Sequence, residues 1–255
     1  MATAIHGAGC KGKVLTRRLF LDILIQIGIV VAIYLAYSFS RGSLDHKAIT
    51  AFGNAQDIID LERDLGIFIE RDIQSFFLET PLRIDIANYI YTLGYYPVLL
   101  LFAGWAYWCH REKYKFIGTV FIISAILAFL VFAFYPVAPP RFFSGFVDTI
   151  HTDWGVNESS VQRFYNPFAA MPSLHLGWSL MVGIGICWMT RAWYARALGI
   201  MLPIAMFIGI TATGNHFVLD AIGGIAVIIV AFVLAVLLRR LIAKVRARGQ
   251  AVSSA

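Results

Sequence analysis

Charge is scarce in this chain: Asp, Glu, Lys and Arg make up 14% of its 255 residues, against 59% hydrophobic, and the mean hydropathy is +0.73. An ordinary soluble domain, with about a quarter of its residues charged, is therefore excluded. Cysteine is equally sparse. The three present, Cys10, Cys109 and Cys187, fit neither a disulfide framework nor zinc-ligand spacing, and free thiols are expected. The ten-residue alternation of an outer-membrane barrel is missing, as are internal repeats, low-complexity tracts and a second, soluble domain. No Gly-x-Ser-x-Gly elbow marks a serine hydrolase. No cluster of carboxylates or histidines at membrane depth suits metal-dependent transfer, so neither a metal nor another cofactor is expected.

What the chain does have is long apolar runs. A hydrocarbon core of roughly 30 Å takes about 20 apolar residues per helix. Six windows answer to this: Leu19 to Phe39, Ile86 to Trp108, Phe116 to Tyr135, Pro172 to Met189, Ala195 to Ala212, and Phe217 to Leu238. Helices satisfy all their backbone groups within lipid, so the expected fold class is all-α, a polytopic membrane protein built as a six-transmembrane-helix bundle. The first run is too long for a cleaved signal peptide and reads as an anchor. Residues 1–255 read as one membrane-embedded domain, its motif-bearing core running from about 57 to 240.

Most of the 21 Lys and Arg residues fall on the side the two termini share: Lys11, Lys13, Arg17 and Arg18, the Arg111 to Lys115 turn, Arg191 and Arg196, and the basic tail after Leu238. The termini are accordingly expected to be cytoplasmic, in a multi-pass protein of the cell membrane. The net charge of +6 then belongs to topology and to contact with anionic lipid headgroups, and no nucleic-acid partner is called for.

Between the first two runs lies "DIIDLERDLGIFIERDIQSFF", in which Ile58, Leu61, Leu65, Phe68, Ile69, Ile73 and Phe76 recur at helical spacing among charges. Amphipathic helices broken near Gly66 are predicted, either in the headgroup layer or capping the bundle. In the second run, Tyr89, Tyr91, Tyr95, Tyr96, Trp105 and Trp108 suit either a lipid groove or an ordinary interfacial belt.

Three polar features map to the same outward depth. Pro136, Pro139 and Pro140 stiffen the exit from the third run and aim Arg141, whose planar fork suits phosphate; as an interfacial anchor it would need no ligand. In "MPSLH", Pro172 is placed to open a helix, leaving the amides of Ser173, Leu174 and His175 at the positive end of its dipole for an anion. A histidine that merely caps its own helix is the plainer alternative. In "NHFVLD", His216 and Asp220 are four apart on one helical face. Asp220 there can accept from one ring nitrogen and leave the other as a nucleophile or base, although a simple helical ion pair would share the spacing. Ionisable groups at membrane depth are costly and therefore point to function.

The order "APPR", "MPSLH", "NHFVLD" resembles the type 2 phosphatidic acid phosphatase superfamily, whose motifs carry an arginine, a Pro-Ser-x-His and a His-x-x-x-Asp on a six-helix bundle. "ERDLGIFIERDIQ" and "YNPFAAMPSLH" are similar to the branch that includes inositol phosphorylceramide synthase, and the likeness runs from about Asp57 to Gly224. The resemblance implies that His216 attacks phosphorus to give a phosphohistidine, that Asp220 orients it, and that His175 protonates the leaving oxygen and then activates the acceptor. Arg141 and the backbone around Ser173 would hold the phosphoryl oxygens. Two of the superfamily's cations are missing: a lysine seven residues before Arg141 is here Phe134, and a Ser-Arg pair is here Gly209-Ile210. Arg163 and His151 are candidate replacements. The expected activity is metal-independent lipid phosphatase or phosphotransferase chemistry on a lipid phosphate or phosphodiester, at the extracytoplasmic face. The alternative is a non-catalytic protein that binds or transports an anionic lipid.

Overall fold

The computed structural model describes residues 44–150 and 166–253, with scattered positions between 21 and 31. The first expected span therefore lies largely outside the described residues. All regular elements among the described residues are helical. Four helices are long and apolar enough to cross a membrane, namely Pro81–Cys109, Arg111–Phe134, Trp193–Ala212 and Val218–Gln250, with Leu174–Met189 apolar but shorter.

Helix α1 (Leu44–Asp64) runs into α2 (Glu70–Leu78) through a turn the sequence dictates. Gly66 takes a left-handed φ of 68°. Its amide donates to Arg63 O at 3.0 Å and that of Ile67 to Glu62 O at 2.9 Å, the paired closure of a Schellman motif. A Cβ at Gly66 would meet nothing within 4 Å, so Gly66→Ala tests backbone conformation alone. A loss of about 1–2 kcal/mol is expected, read as a lower midpoint of thermal unfolding in detergent.

The burial of the two helices departs from simple amphipathicity at particular positions. Leu61, Leu65, Ile69 and Phe76 are exposed, while Glu62, Glu70 and Gln74 are buried. Packing of α1 relies on a stripe of Ala51, Ala55, Ile58 and Ile59 laid against Val137, Ala138, Ala170 and Phe217. The pair thus turns a mixed face towards the bundle, apolar along α1 and polar at Glu62, Glu70 and Gln74, while Asp57, Asp60, Arg63, Arg71 and Asp72 stay exposed.

Helix α3 (Pro81–Tyr89) opens on a proline and passes through a π-helical turn at Ile90–Gly94 into α4 (Tyr95–Cys109). Next come α5 (Arg111–Phe134), stopped before Pro136, then α6 (Leu174–Met189), α7 (Trp193–Ala212) and α8 (Val218–Ser253). Helix α6 packs against α4, α5, α7 and α8. Glycines let it approach closely: a Cβ at Gly183 would fall on the carbonyl oxygen of Gly199 in α7, and one at Gly177 would lie 3.0 Å from Gly224 O in α8. Small residues substitute here for the hydrophobic drive that lipid removes. Leu100, Leu101, Phe134 and Trp193 are left exposed, as a lipid-facing surface requires. Cys187 is free, but Cys109 is disulfide-bonded, which corrects the expectation of free thiols throughout.

Candidate active site

The site is assembled where α6 and α8 begin. Helix α7 ends at Ala212 and the chain turns through Gly214, at φ 66°. The amides of Asn215 and His216 both donate to Ile210 O, at 3.0 and 3.2 Å, and Gly214 O accepts from the Arg141 amide at 2.8 Å. His216 is thereby held at the mouth of α8, 5% exposed. Its Nδ1 lies 2.8 Å from Ala170 O and 3.5 Å from Asp220 Oδ2. A carbonyl can only accept, so Nδ1 carries the proton and the Nε2 lone pair is left for chemistry. Sequence spacing points to Asp220 as the orienting group; in the structure Ala170 O supplies the shorter contact. That carbonyl is itself fixed, because Val137 N donates to Phe168 O at 2.9 Å and Ala170 N to Val137 O at 3.3 Å. The proline-stiffened exit from α5 and the "FAAM" segment are therefore paired.

His175 stands in the first turn of α6, its ring centroid 5.9 Å from that of His216. Tyr91 and Tyr95 pack against its ring at 4.5 and 4.7 Å. Tyr91 comes from the π-helical turn, a local widening often found at functional sites. Of the aromatic run in this region, these two belong to the site while Tyr89 and Tyr96 are exposed.

Ser173 departs from expectation in detail. It is the N-cap of α6, its hydroxyl accepting from Leu176 N at 3.5 Å. Pro172 lies outside the helix, and the Ser173 amide is not free: it donates to Asp220 O at 2.9 Å. The amides of Leu174 and His175 begin the helix and have no carbonyl within it, as at any helix start.

Arg141 is buried and forms a hydrogen bond to Asn215 Oδ1, with its Nε 3.2 Å from Asp148 Oδ2. The guanidinium is thus braced on the residue preceding His216. Asp148 and Asn215 were missed from the sequence; the only signal was their nearness to the motifs.

The start of α8 is unusual. Phe217 N donates to Asp220 Oδ2 at 2.9 Å, Val218 N to Glu70 Oε1 at 2.6 Å and Leu219 N to Glu62 Oε1 at 2.6 Å. Three successive amides are each taken by a different carboxylate, and these come from three helices. Amides at a helix start favour negative partners. These three amides are therefore already occupied.

A family model described as the PAP2 superfamily matches residues 56–234. The chain belongs to the PAP2 superfamily. No curated protein and no solved structure matches it. PAP2-superfamily proteins are generally phosphatases or phosphotransferases, and membership supports phosphatase-type action on lipid in the bilayer. Against the PAP2 pattern, Phe134 is 84% exposed and Ile210 is fully buried with its carbonyl engaged by the His216 turn; neither position offers a cation to the site. Arg163 and His151 lie outside the described residues. Among the described residues, no group of three or more His, Cys, Asp and Glu is placed to hold a metal ion.

Proposed function

We propose that this PAP2-superfamily protein transfers the phosphoryl group of a membrane lipid through a covalent phosphohistidine on His216. The whole chain acts as one membrane-embedded domain in a six-span arrangement, with cytoplasmic termini and the site at the extracytoplasmic face. The observation that carries the reading is the Nδ1 contact to Ala170 O, which leaves the other nitrogen of a buried imidazole beside a second imidazole. Nε2 of His216 attacks phosphorus as the P–O bond to the leaving group breaks, and His175 gives that oxygen its proton. In the second half His175 takes a proton from water or an alcohol, whose oxygen attacks phosphorus as the N–P bond breaks. Asp220 stabilises the ring when it becomes positively charged. Arg141 and the start of α6 around Ser173 hold the phosphoryl oxygens, so positioning and charge stabilisation supply most of the rate. The lipid substrate is a phosphate monoester or diester, and the branch resembling inositol phosphorylceramide synthase favours an alcohol acceptor.

The test is to trap the intermediate. Purified protein in excess chelator is mixed briefly with a panel of phosphorus-labelled lipids, with and without alcohol acceptors, and quenched in alkali. An acid-labile, alkali-stable label on the peptide containing His216 is expected, and labelled product should appear when acceptor is added. Turnover with no label at His216, or label lost on chelation, sinks the assignment; lipid binding without turnover favours a transport or binding role.

A further inference from the structure

Glu62 and Glu70 are both fully buried. Each uses one oxygen to accept a backbone amide at the start of α8, and the amides are consecutive, Val218 and Leu219. Two carboxyl groups reaching adjacent amides are brought side by side. Their second oxygens, Oε2 of each, are buried with no donor among the described residues, and the two groups interact directly. Among the described residues, neither forms an ion pair with a cation. Two ionised carboxylates in this position would face each other acceptor to acceptor, next to a third carboxylate, with the desolvation of both unrelieved. A single proton removes the conflict, because one Oε2 then donates to the other.

We propose that Glu62 and Glu70 form an acid–carboxylate pair bridged by one proton, and that this pair is a positioning device that sets the start of α8 and with it His216 and Asp220. The positioning role rests on the phosphohistidine reading, whereas the shared proton does not. Burial first, then the hydrogen bond and charge of Glu70 and the charge of Asp220, hold Glu62 protonated, its pKa pushed up to about 9 against the opposing amide of Leu219. The groups facing it are thus Glu70 on α2 and Asp220 on α8, with His216 beyond Asp220. The architecture accounts for the buried carboxyl groups of α1 and α2. Glu62 lies in the last turn of α1, where its carbonyl accepts from Ile67 in the Schellman motif, and Glu70 begins α2. One turn therefore presents both carboxyl groups to the same helix end.

The pair makes a requirement of parity. In Glu62→Gln, the amide oxygen can accept from Leu219 and the amide nitrogen can donate to Glu70, so a donor still faces an acceptor. The same holds for Glu70→Gln. In the double variant the two amide nitrogens face each other and the match is lost. Each single glutamine variant should keep a wild-type unfolding midpoint at pH 7 to within a few degrees, while the double variant falls by more than the sum of the singles. Plain helix capping without a shared proton predicts additivity instead.

Stability against pH gives a second readout. The folded-state pKa of Glu62 is raised, so its contribution is fully present below the ordinary glutamate value of 4.5 and is lost as pH rises towards and through about 9. Wild type should lose unfolding midpoint progressively across that window, and Glu62→Gln should have a flatter curve. For positioning, kcat on phosphatidic acid in mixed micelles is measured over the same range. Glu62→Ala should lower kcat by about 10²-fold, the cost of an ångström of misplacement, and Glu62→Gln should recover most of it and remove the alkaline decline. Additive glutamine variants together with an unchanged pH curve overturn the shared proton, whatever becomes of the phosphohistidine. A non-additive double variant, with kcat of Glu62→Ala equal to that of wild type, overturns positioning alone. Wholesale unfolding of Glu62→Ala would leave the two glutamine variants to decide both points.

Discussion

Replacing His216 by alanine is expected to lower turnover on a lipid phosphate by about 10⁴-fold or more, because the step that forms the covalent intermediate then has no nucleophile. The fold should survive. His216 lies at a turn whose backbone is held by Ile210 O and whose neighbour Asn215 is held by Arg141, independently of the imidazole. An unfolding midpoint close to wild type, with activity lost, is the expected pair of results. His175→Ala should cost about 10²–10⁴-fold, the range for a general acid and base, and should accumulate label on His216 if acceptor activation suffers more than leaving-group departure. The double variant should be hardly worse than His216→Ala, since a proton donor has nothing to serve once the nucleophile is gone. A His216→Ala protein turning over as fast as wild type would falsify the mechanism.

Gly224→Ala is expected to cost both stability and activity, and its effect separates packing from chemistry. A Cβ there would fall on the carbonyl oxygen of Ser173 and lie 3.1 Å from its carbonyl carbon. These are backbone atoms at the start of α6 and cannot swing aside. Helices α6 and α8 must part, and overpacking of this kind costs about 1–3 kcal/mol or more. The bond from Ser173 N to Asp220 O spans the same gap, so His175 and His216 are displaced relative to each other. About 10² in turnover should go with an ångström of such displacement. Gly104→Ala is the control. Nothing lies within 4 Å of its Cβ, it sits within α4, and alanine favours helix over glycine by about 1 kcal/mol. An equal or higher unfolding midpoint is expected for it, and a lower one with reduced turnover for Gly224→Ala. Wild-type behaviour of Gly224→Ala would mean that the α6–α8 approach is looser than the structure has it.

Much of this was legible along the chain because each signal was local. Apolar length bounded by charge marked the helices, and Gly66 between two charged amphipathic stretches marked the turn from α1 to α2. The motif residues His175, His216, Asp220, Arg141 and Ser173 stood out because polar groups are costly where they lie. Other features had no local signal. Leu61 and Glu62 are neighbours in an amphipathic pattern, and periodicity puts the leucine inside; the structure buries the glutamate and exposes the leucine. Periodicity cannot see that the partner at this point is a helix-start amide, Leu219 N, which draws the carboxyl group of Glu62 inward. Tyr91 and Tyr95 read as two of several interfacial aromatics, and the structure packs both against His175, Tyr91 from the π-helical turn and Tyr95 from the start of α4.

By itself the sequence determined that this is a helical membrane protein of the PAP2 type and which side chains are the candidates for its chemistry, because hydrophobic length and residue type are properties of the chain read in order. Tertiary structure alone decided which carbonyl sets the tautomer of His216, that Asp148 and Asn215 brace Arg141, and that Glu62 and Glu70 meet at the start of α8. The reason is physical: a hydrogen bond has a range of about 3 Å, and its partner is chosen by which distant backbone atom the packing brings within it.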